Sequence, residues 1–293
     1  MRLLNWCARV VVCYSVAVLC WCRVTCVALG EVVVAATPLV IFAHERTGSN
    51  AFCDALNRQR GIIMNKEAFN PTESYLHGTM RRAIHPRVIS NRNNQPRALV
   101  DAMVRVATRR RLRYVGFKIF PAHLSSGGID AILRMQGARA VILYRKNVLA
   151  VYRSLRVAES TGHWTSTNTN RFKVRVDVGS FSHFKGQYAA WYTQAMQQVR
   201  AARVPVTIFE HSEFFANQRE SLKRLQRFLE LPEHYAVRAS SSSSLRRQNT
   251  VPLRRSISNY ASFSREVKSR YGSSVENFGS LNLAERPGRR GNY

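Results

Sequence analysis

The sequence predicts an α/β fold, a parallel β-sheet flanked by helices. Three observations predict it: uninterrupted apolar runs of strand length, amphipathic stretches of helix length between them, and polar turns at the joins. Leu39–Ala43 (LVIFA), after Pro38, is the first such run. It has no polar alternation, the pattern of a strand buried on both faces. The turn His44–Asn50 follows, then a helix over Ala51–Asn57 with Phe52 and Leu56 on one face. A helix beginning near Leu99 ends in the basic run 109–113, and Tyr114–Phe120 is the second strand. Ala138–Tyr144 (ARAVILY) is the third strand. Asn147–Ser160 is helical, with Val148, Val151, Leu155 and Ala158 at helix spacing. Phe184–Ala202 is a further helix, Val204–Phe209 a fourth strand, and Ser221–Leu229 a helix closed by Pro232.

A chain of 293 residues, 45% of them hydrophobic, builds one large domain or at most two. Its charge is unusual. Lys plus Arg number 45 against 17 Asp plus Glu, a formal net charge of +28. Such an excess implies a polyanionic partner, an anionic cofactor or an anionic membrane surface. Nucleic acid is the obvious rival, but the charge is spread from Arg81 to Arg290 with no basic tail and no zinc-finger or basic-zipper spacing. The 109–113 run reads as the solvated last turn of a helix, which suits the helix dipole, and as a possible extension of a positive rim around an anionic acceptor.

Five of the six cysteines lie before residue 30 and only Cys53 remains in the body, so no disulfide framework is expected there. No Cys/His group has zinc-ligand spacing, and no metal is expected. Residues 1–30 hold an uncharged run, Val10–Cys22, behind Arg2 and Arg9. Two readings stand: a cleaved signal peptide, or a signal anchor that associates with a membrane through residues 9–29. The first places the protein in the secretory pathway, the second in a Golgi-type membrane as a single-pass protein, with a cytoplasmic location as the alternative. The folded body is expected over 38–275. The five serines Ser240–Ser244 form a loop, and 284–293 is a disordered basic tail.

Two constellations carry chemistry. The first is His44-Glu45-Arg46-Thr47-Gly48-Ser49-Asn50, between strand and helix. Gly48 permits a tight turn, the helix N-terminus presents free N–H groups to an anion, Arg46 adds charge, and Thr47, Ser49 and Asn50 add short donors. The loop is P-loop-like but lacks the first Gly and the Lys of a nucleoside-triphosphate P-loop. Its plain structural alternative is a helix start capped by Ser49 or Thr47. The second is Arg145-Lys146-Asn147 at the end of a buried strand, with Ser154 about two helical turns beyond Lys146. A strand thus delivers two cations to the edge where ligands of open α/β sheets bind. Taken alone, this is a strand followed by solvated charges; taken with the first loop, it is a second anion site.

Together these motifs resemble the 5′-phosphosulfate loop and 3′-phosphate motif of sulfotransferases that use 3′-phosphoadenylyl sulfate (PAPS), above all the nodulation-factor and trehalose type. Further matches are Lys66-Glu67-Ala68-Phe69-Asn70, Val115-Gly116-Phe117-Lys118-Ile119, Ala158-x-x-Thr161-Gly162-x-Trp164, and Leu245-Arg246-Arg247-Gln248-Asn249-Thr250-x-Pro252-Leu253 followed by Asn259-Tyr260. The resemblance covers residues 38–265 and implies the sulfotransferase fold, PAPS as co-substrate, no metal, and a hydroxyl acceptor, expected to be a glycan. It implies that Arg46 and the loop hold the 5′-phosphosulfate, and that Arg145 or Lys146 with Ser154 holds the 3′-phosphate. The family usually has Arg eight residues before the serine, where this chain has Lys146. Glu67 is the expected base, Lys118 the cation for the bridging oxygen or sulfuryl group, and Arg246, Arg247 and Gln248 a loop closing over the cofactor. Glu45 is a weaker candidate for the base, and Trp164 and Tyr260 either line the acceptor cleft or, the preferred reading, are core or lid packing. The alternatives are a P-loop-type nucleotide-dependent kinase and a non-catalytic basic polyanion-binding module.

Overall fold

A computed structural model describes residues 34–164, 168–232, 235 and 251–283. Five strands form one sheet: β1 (Thr37–Phe42), β2 (Ile62–Met64), β3 (Tyr114–Ile119), β4 (Arg139–Tyr144) and β5 (Val206–Glu210). Their order is β2-β3-β1-β4-β5, and every pairing is parallel. All carboxyl ends therefore lie on one edge. β1 is central, with Val40 opposite Phe117 on one side and Ala140 on the other.

Successive side chains of a strand point to opposite faces, and the core divides accordingly. Val40, Phe42, Phe117 and Ile142 enter one cluster; Leu39, Ile41, Val141 and Leu143 enter the other. Helices cover both faces. α1 (Ser49–Asn57) and α9 (Gln218–Phe228) pack on the second cluster, whereas α4 (Pro96–Arg109), α5 (Ser126–Leu133) and α7 (Val178–Ala201) pack on the first. The short helices α2 (Gly78–Ala83), α3 (Pro86–Ser90) and α8 (His211–Ala216), the longer α6 (Val148–Thr161), and α10 (Leu253–Ser256), α11 (Tyr260–Tyr271) and α12 (Val275–Phe278) complete the layers. Phe278, Leu281 and Leu283 pack against the main core, so the packed chain runs past residue 275.

The strands expected at 39–43, 114–120, 138–144 and 204–209 are present within two residues of their expected ends. β2 was missed because three residues carry no readable period. The Asn57 side chain covers its outer edge, accepting from Met64 N at 2.6 Å and donating to Met64 O at 3.1 Å. α7 begins six residues before the expected Phe184, where the Asp177 carboxylate accepts from Ser180 N at 2.7 Å. Gly179 and Gly186 had diluted the helical pattern there. The helix expected over 221–229 starts at Gln218 and ends at Phe228, short of Pro232.

The signal or anchor segment (1–30), the serine loop (240–244), Arg246, Arg247, Gln248 and the tail (284–293) lie outside the described residues. Among the described residues, no helix is long and apolar enough to cross a membrane.

Gly116 marks the tightest packing in the sheet. A Cβ there meets Met64 Sδ at 2.2 Å and the Leu39 carbonyl oxygen at 3.2 Å. Gly116→Ala is expected to cost about 1–3 kcal/mol in urea unfolding through overpacking; an unchanged midpoint would show that the sheet opens there at no cost.

Candidate active site

Connections leave β1 and β4 toward opposite sides of the sheet, β1 leading to β2 and β4 to β5. The crevice outside their carboxyl ends is where open α/β sheets bind ligands. The first loop leaves β1 at Ala43 and turns sharply, because Arg46 (φ 66°) and Gly48 (φ 77°) both hold left-handed backbone. Only glycine does so without strain, and residue 48 needs glycine twice over, since a Cβ would lie 2.6 Å from the His211 ring of α8. Thr47 Oγ1 donates to the His44 carbonyl at 2.6 Å. The N-cap of α1 is Gly48, with no side-chain cap. Neither Ser49 nor Thr47 closes this helix end, so its first N–H groups face the crevice without a side-chain acceptor.

Lys118, 1% exposed on β3, reaches the same place. Its Nζ donates to Asn50 Oδ1 at 2.5 Å and Ser49 Oγ at 3.3 Å, lies 3.1 Å from Glu67 Oε1 and stacks over the Phe120 ring. Glu67 follows β2, and its Oε2 accepts from Asn70 at 2.9 Å. The ion pair and the loop contact are thus properties of one lysine.

From β4 the chain passes to Arg145, whose N–H donates to the Tyr188 hydroxyl at 2.9 Å; that hydroxyl lies 3.2 Å from the Arg145 carbonyl. Asn147 caps α6 through Ala150 N at 2.9 Å, and α6 carries Ser154 back to the crevice. There Arg46 Nε donates to Ser154 Oγ at 3.0 Å, across 108 residues of chain. Arg46 also donates to the Trp164 carbonyl. Burial, and then repulsion from Arg145, lowers the pKa of the Arg46 guanidinium. The loop after β1 and the helix after β4 thus meet at one place.

Lys146 is exposed and lines an open pocket of about 550 Å³ with Leu149, Glu210, Tyr260 and Glu276. Tyr260 OH lies 3.4 Å from Glu276 Oε1. Trp164 is 47% exposed, so its ring is not core packing. The run 109–113 is also corrected: it precedes β3 at the opposite edge of the sheet and cannot extend a rim around this site.

Two features escaped sequence reasoning. The first is an aromatic stripe on α7. Trp191 Nε1 donates to the Ala43 carbonyl and Tyr192 OH to the Leu143 carbonyl, both at 2.8 Å, and with Tyr188 they fix the ends of β1 and β4. Burial pushes the pKa of both tyrosines up, so they remain donors. The i, i+3, i+4 spacing of Tyr188, Trp191 and Tyr192 was the available signal. The second is His123. Its Nδ1 accepts from Phe120 N at 3.3 Å and its Nε2 lies 3.8 Å from Glu67 Oε2. Burial lowers its pKa to about 4, with the Glu67 charge opposing. Glu45 is a different case: burial raises its carboxyl, but the hydrogen bond and charge of His44, 2.9 Å away, more than offset this and hold it below the usual range. Among the described residues, no group of three or more His, Cys, Asp or Glu side chains is arranged to hold a metal ion.

No family model matches the chain. Nodulation protein H of Rhizobium tropici, a sulfotransferase, is 26% identical over 236 residues, covering 78% of this chain and 88% of that protein. The chain is thus similar to a sulfotransferase over most of its length. The sulfotransferase domain of the Synechococcus PCC 7002 olefin synthase covers 67% of this chain and 74% of its own, at 15% identity and a TM-score of 0.40, a superposition too loose to bear on the site.

A histidine neutral in the fold and protonated in the unfolded chain withdraws stability as pH falls from about 6.5 toward about 4. His123→Gln is therefore expected to flatten the pH dependence of urea unfolding in that window, by ~3 kcal/mol at most. Equal slopes for variant and parent would show that His123 is open to water.

Proposed function

We propose that this protein is a sulfotransferase that takes its sulfuryl group from PAPS and transfers it to an acceptor hydroxyl on a carbohydrate. The bond from Arg46 Nε to Ser154 Oγ carries the reading. PAPS is anionic at both ends of its nucleoside, with a 5′-phosphosulfate and a 3′-phosphate, so its protein must bring two cationic cradles within one nucleotide's reach. Ser49, Asn50 and Lys118 form one, Arg145 and Ser154 the other, and Arg46 stands between them. This donor set fits the group without a metal.

When bound, PAPS supplies the sulfuryl group to be displaced. The chain's own residues position and neutralise. The N–H groups at the start of α1 and Lys118 Nζ hold negative charge where it develops on the phosphate leaving group. Glu67 removes the acceptor's proton: Lys118, Asn70 and His123 fix its carboxylate, whose oxygens keep lone pairs beyond those contacts. Arg145 and Ser154 hold the 3′-phosphate, and Arg246, Arg247 and Gln248 close over the nucleotide. The resemblance to nodulation-factor sulfotransferases and the basic charge support a glycan acceptor.

A transfer assay from labelled PAPS against glycans and small alcohols, with product mass measured, tests the reading; absence both of transfer and of metal-free binding of adenosine 3′,5′-bisphosphate would end it. Glu67→Gln is expected to keep nucleotide binding and lose about 10²–10⁴ in turnover. Normal turnover would remove Glu67 as the base. Arg145→Ala is expected to weaken bisphosphate binding by about 10–100-fold, the worth of a charged hydrogen bond to phosphate, with Lys146→Ala much milder. The reverse order would transfer the 3′-phosphate to Lys146.

A further inference from the structure

The carboxylate read above as the base sits on irregular chain. Glu67 lies in the thirteen-residue stretch 65–77 between β2 and α2, which holds no helix or strand. A loop holds a side chain less firmly than a strand or helix does, so a catalytic group placed there needs outside support. Burial supports the first part. Ala68 and Phe69 are fully buried, Phe69 meets the Phe117 ring edge-on at 5.2 Å, and Ser74 Oγ donates to the Ala68 carbonyl at 2.8 Å. Packing stops there. Pro71, Thr72 and Glu73 are exposed, and Asn70 stands between the buried part and this exposed turn.

Asn70 is engaged through its N–H, its carbonyl and both ends of its carboxamide. Its N–H donates to the Glu67 carbonyl at 3.2 Å, and its Oδ1 accepts from Thr72 N at 3.0 Å and Glu73 N at 3.3 Å. With the oxygen so occupied, the carboxamide offers Glu67 its Nδ2, the donor that a carboxylate needs. The Asn70 carbonyl accepts from Arg92, from Nε at 3.2 Å and from Nη2 at 2.5 Å, and the same Nη2 donates to the Pro71 carbonyl at 3.1 Å. Arg92 Nη1 donates to the Ile89 carbonyl at 3.3 Å, which ties the guanidinium back to α3. All four contacts go to main-chain carbonyls. The nearby acid, Glu73, lies 3.7 Å from Arg81 instead. This place uses the planar fork of an arginine, which sets two or three N–H groups in fixed directions, rather than an ion pair.

We propose that Arg92 is a positioning residue for the proton acceptor: by clamping the Asn70 and Pro71 carbonyls it aims the Asn70 carboxamide at Glu67 Oε2. The proposal rests on the reading of Glu67 as the base. Lys118 holds Oε1 at 3.1 Å and Asn70 holds Oε2 at 2.9 Å. One donor on each oxygen fixes the plane of the carboxylate, and with it the direction of the lone pairs left for an acceptor's hydroxyl. Without the clamp the exposed turn 71–73 draws Asn70 away, and the carboxylate keeps Lys118 but loses its aim. Turnover then falls, while nucleotide binding, which falls to Arg46, Lys118 and Ser154, stays. Arg81 gives the comparison. It fastens the same loop at the Ser74 carbonyl, and its contacts are with Ser74 and Glu73 rather than Asn70.

The test uses the full chain and three readouts: sulfuryl transfer from labelled PAPS to the best acceptor of the panel, affinity for adenosine 3′,5′-bisphosphate, and the side-chain amide signals in a ¹⁵N spectrum. R92Q is expected to lower kcat about tenfold, within the range that a misplaced catalytic group costs, with bisphosphate affinity and the acceptor's KM near the parent's. R92K keeps a donor without the fork and should fall between; it serves as well if R92Q does not fold. The Asn70 amide signal, identified by its absence from N70A, should move in R92Q and hold its place in R81Q, which should turn over as the parent does. The deciding comparison is a double-mutant cycle. N70A should lose at least as much turnover as R92Q, and N70A/R92Q no more than N70A. Losses that multiply in the double variant, an equal loss in R81Q, an unmoved Asn70 signal or parental turnover in R92Q overturns the proposal. E67Q separates it from the reading beneath. Parental turnover in E67Q removes the base and the positioning role together, whereas a loss of about 10²–10⁴ in E67Q beside an unimpaired R92Q removes the positioning role alone.

Discussion

The site depends on one constraint: β1 and β4 lie side by side and parallel, so the loops that leave them open into the same crevice. Segments more than a hundred residues apart are thereby held within a hydrogen bond, Arg46 to Ser154. Like charges do not gather unaided, and burial with a second arginine lowers the pKa of the Arg46 guanidinium. The fold opposes this repulsion with neutral scaffolding. Tyr188, Trp191 and Tyr192 of α7 clasp the strand ends through backbone groups, and burial keeps the two tyrosines protonated. The crevice these loops share is cationic, and neutral groups hold it in place.

Much of this was legible in the sequence, for a physical reason. Strands buried on both faces must be continuously apolar, so LVIFA and ARAVILY identified β1 and β4 with their loops and cations. Gly48 was legible because a turn into a helix requires its backbone freedom. β2 was not, since three residues have no period, and Asn57, which covers its edge, looks like any helix-terminal residue. The choice between Arg145 and Lys146 was equally hidden, because adjacent residues beyond a strand point to different sides and their types do not tell which side a ligand takes. His123 lay too far from Glu67 in sequence to be linked with it; the turn after β3, through Phe120 N, brings it back.

The charge distribution has its own logic. A net charge of +28 suggested a positive rim around the acceptor, yet the densest basic run stands at the far edge, while the crevice mixes Arg46, Arg145 and Lys118 with Glu45 and Glu67.

The central claim is that both cradles grip one nucleotide, and the most direct measurement is the metal-free affinity of the unmodified protein for adenosine 3′,5′-bisphosphate beside adenosine 5′-phosphate and adenosine 3′-phosphate. Two working cradles predict that the bisphosphate binds tighter than either monophosphate by about 10–100-fold, one charged contact set each. A bisphosphate no tighter than the better monophosphate would mean that only one cradle engages, and the convergence of Arg46, Arg145 and Ser154 would have no part in binding.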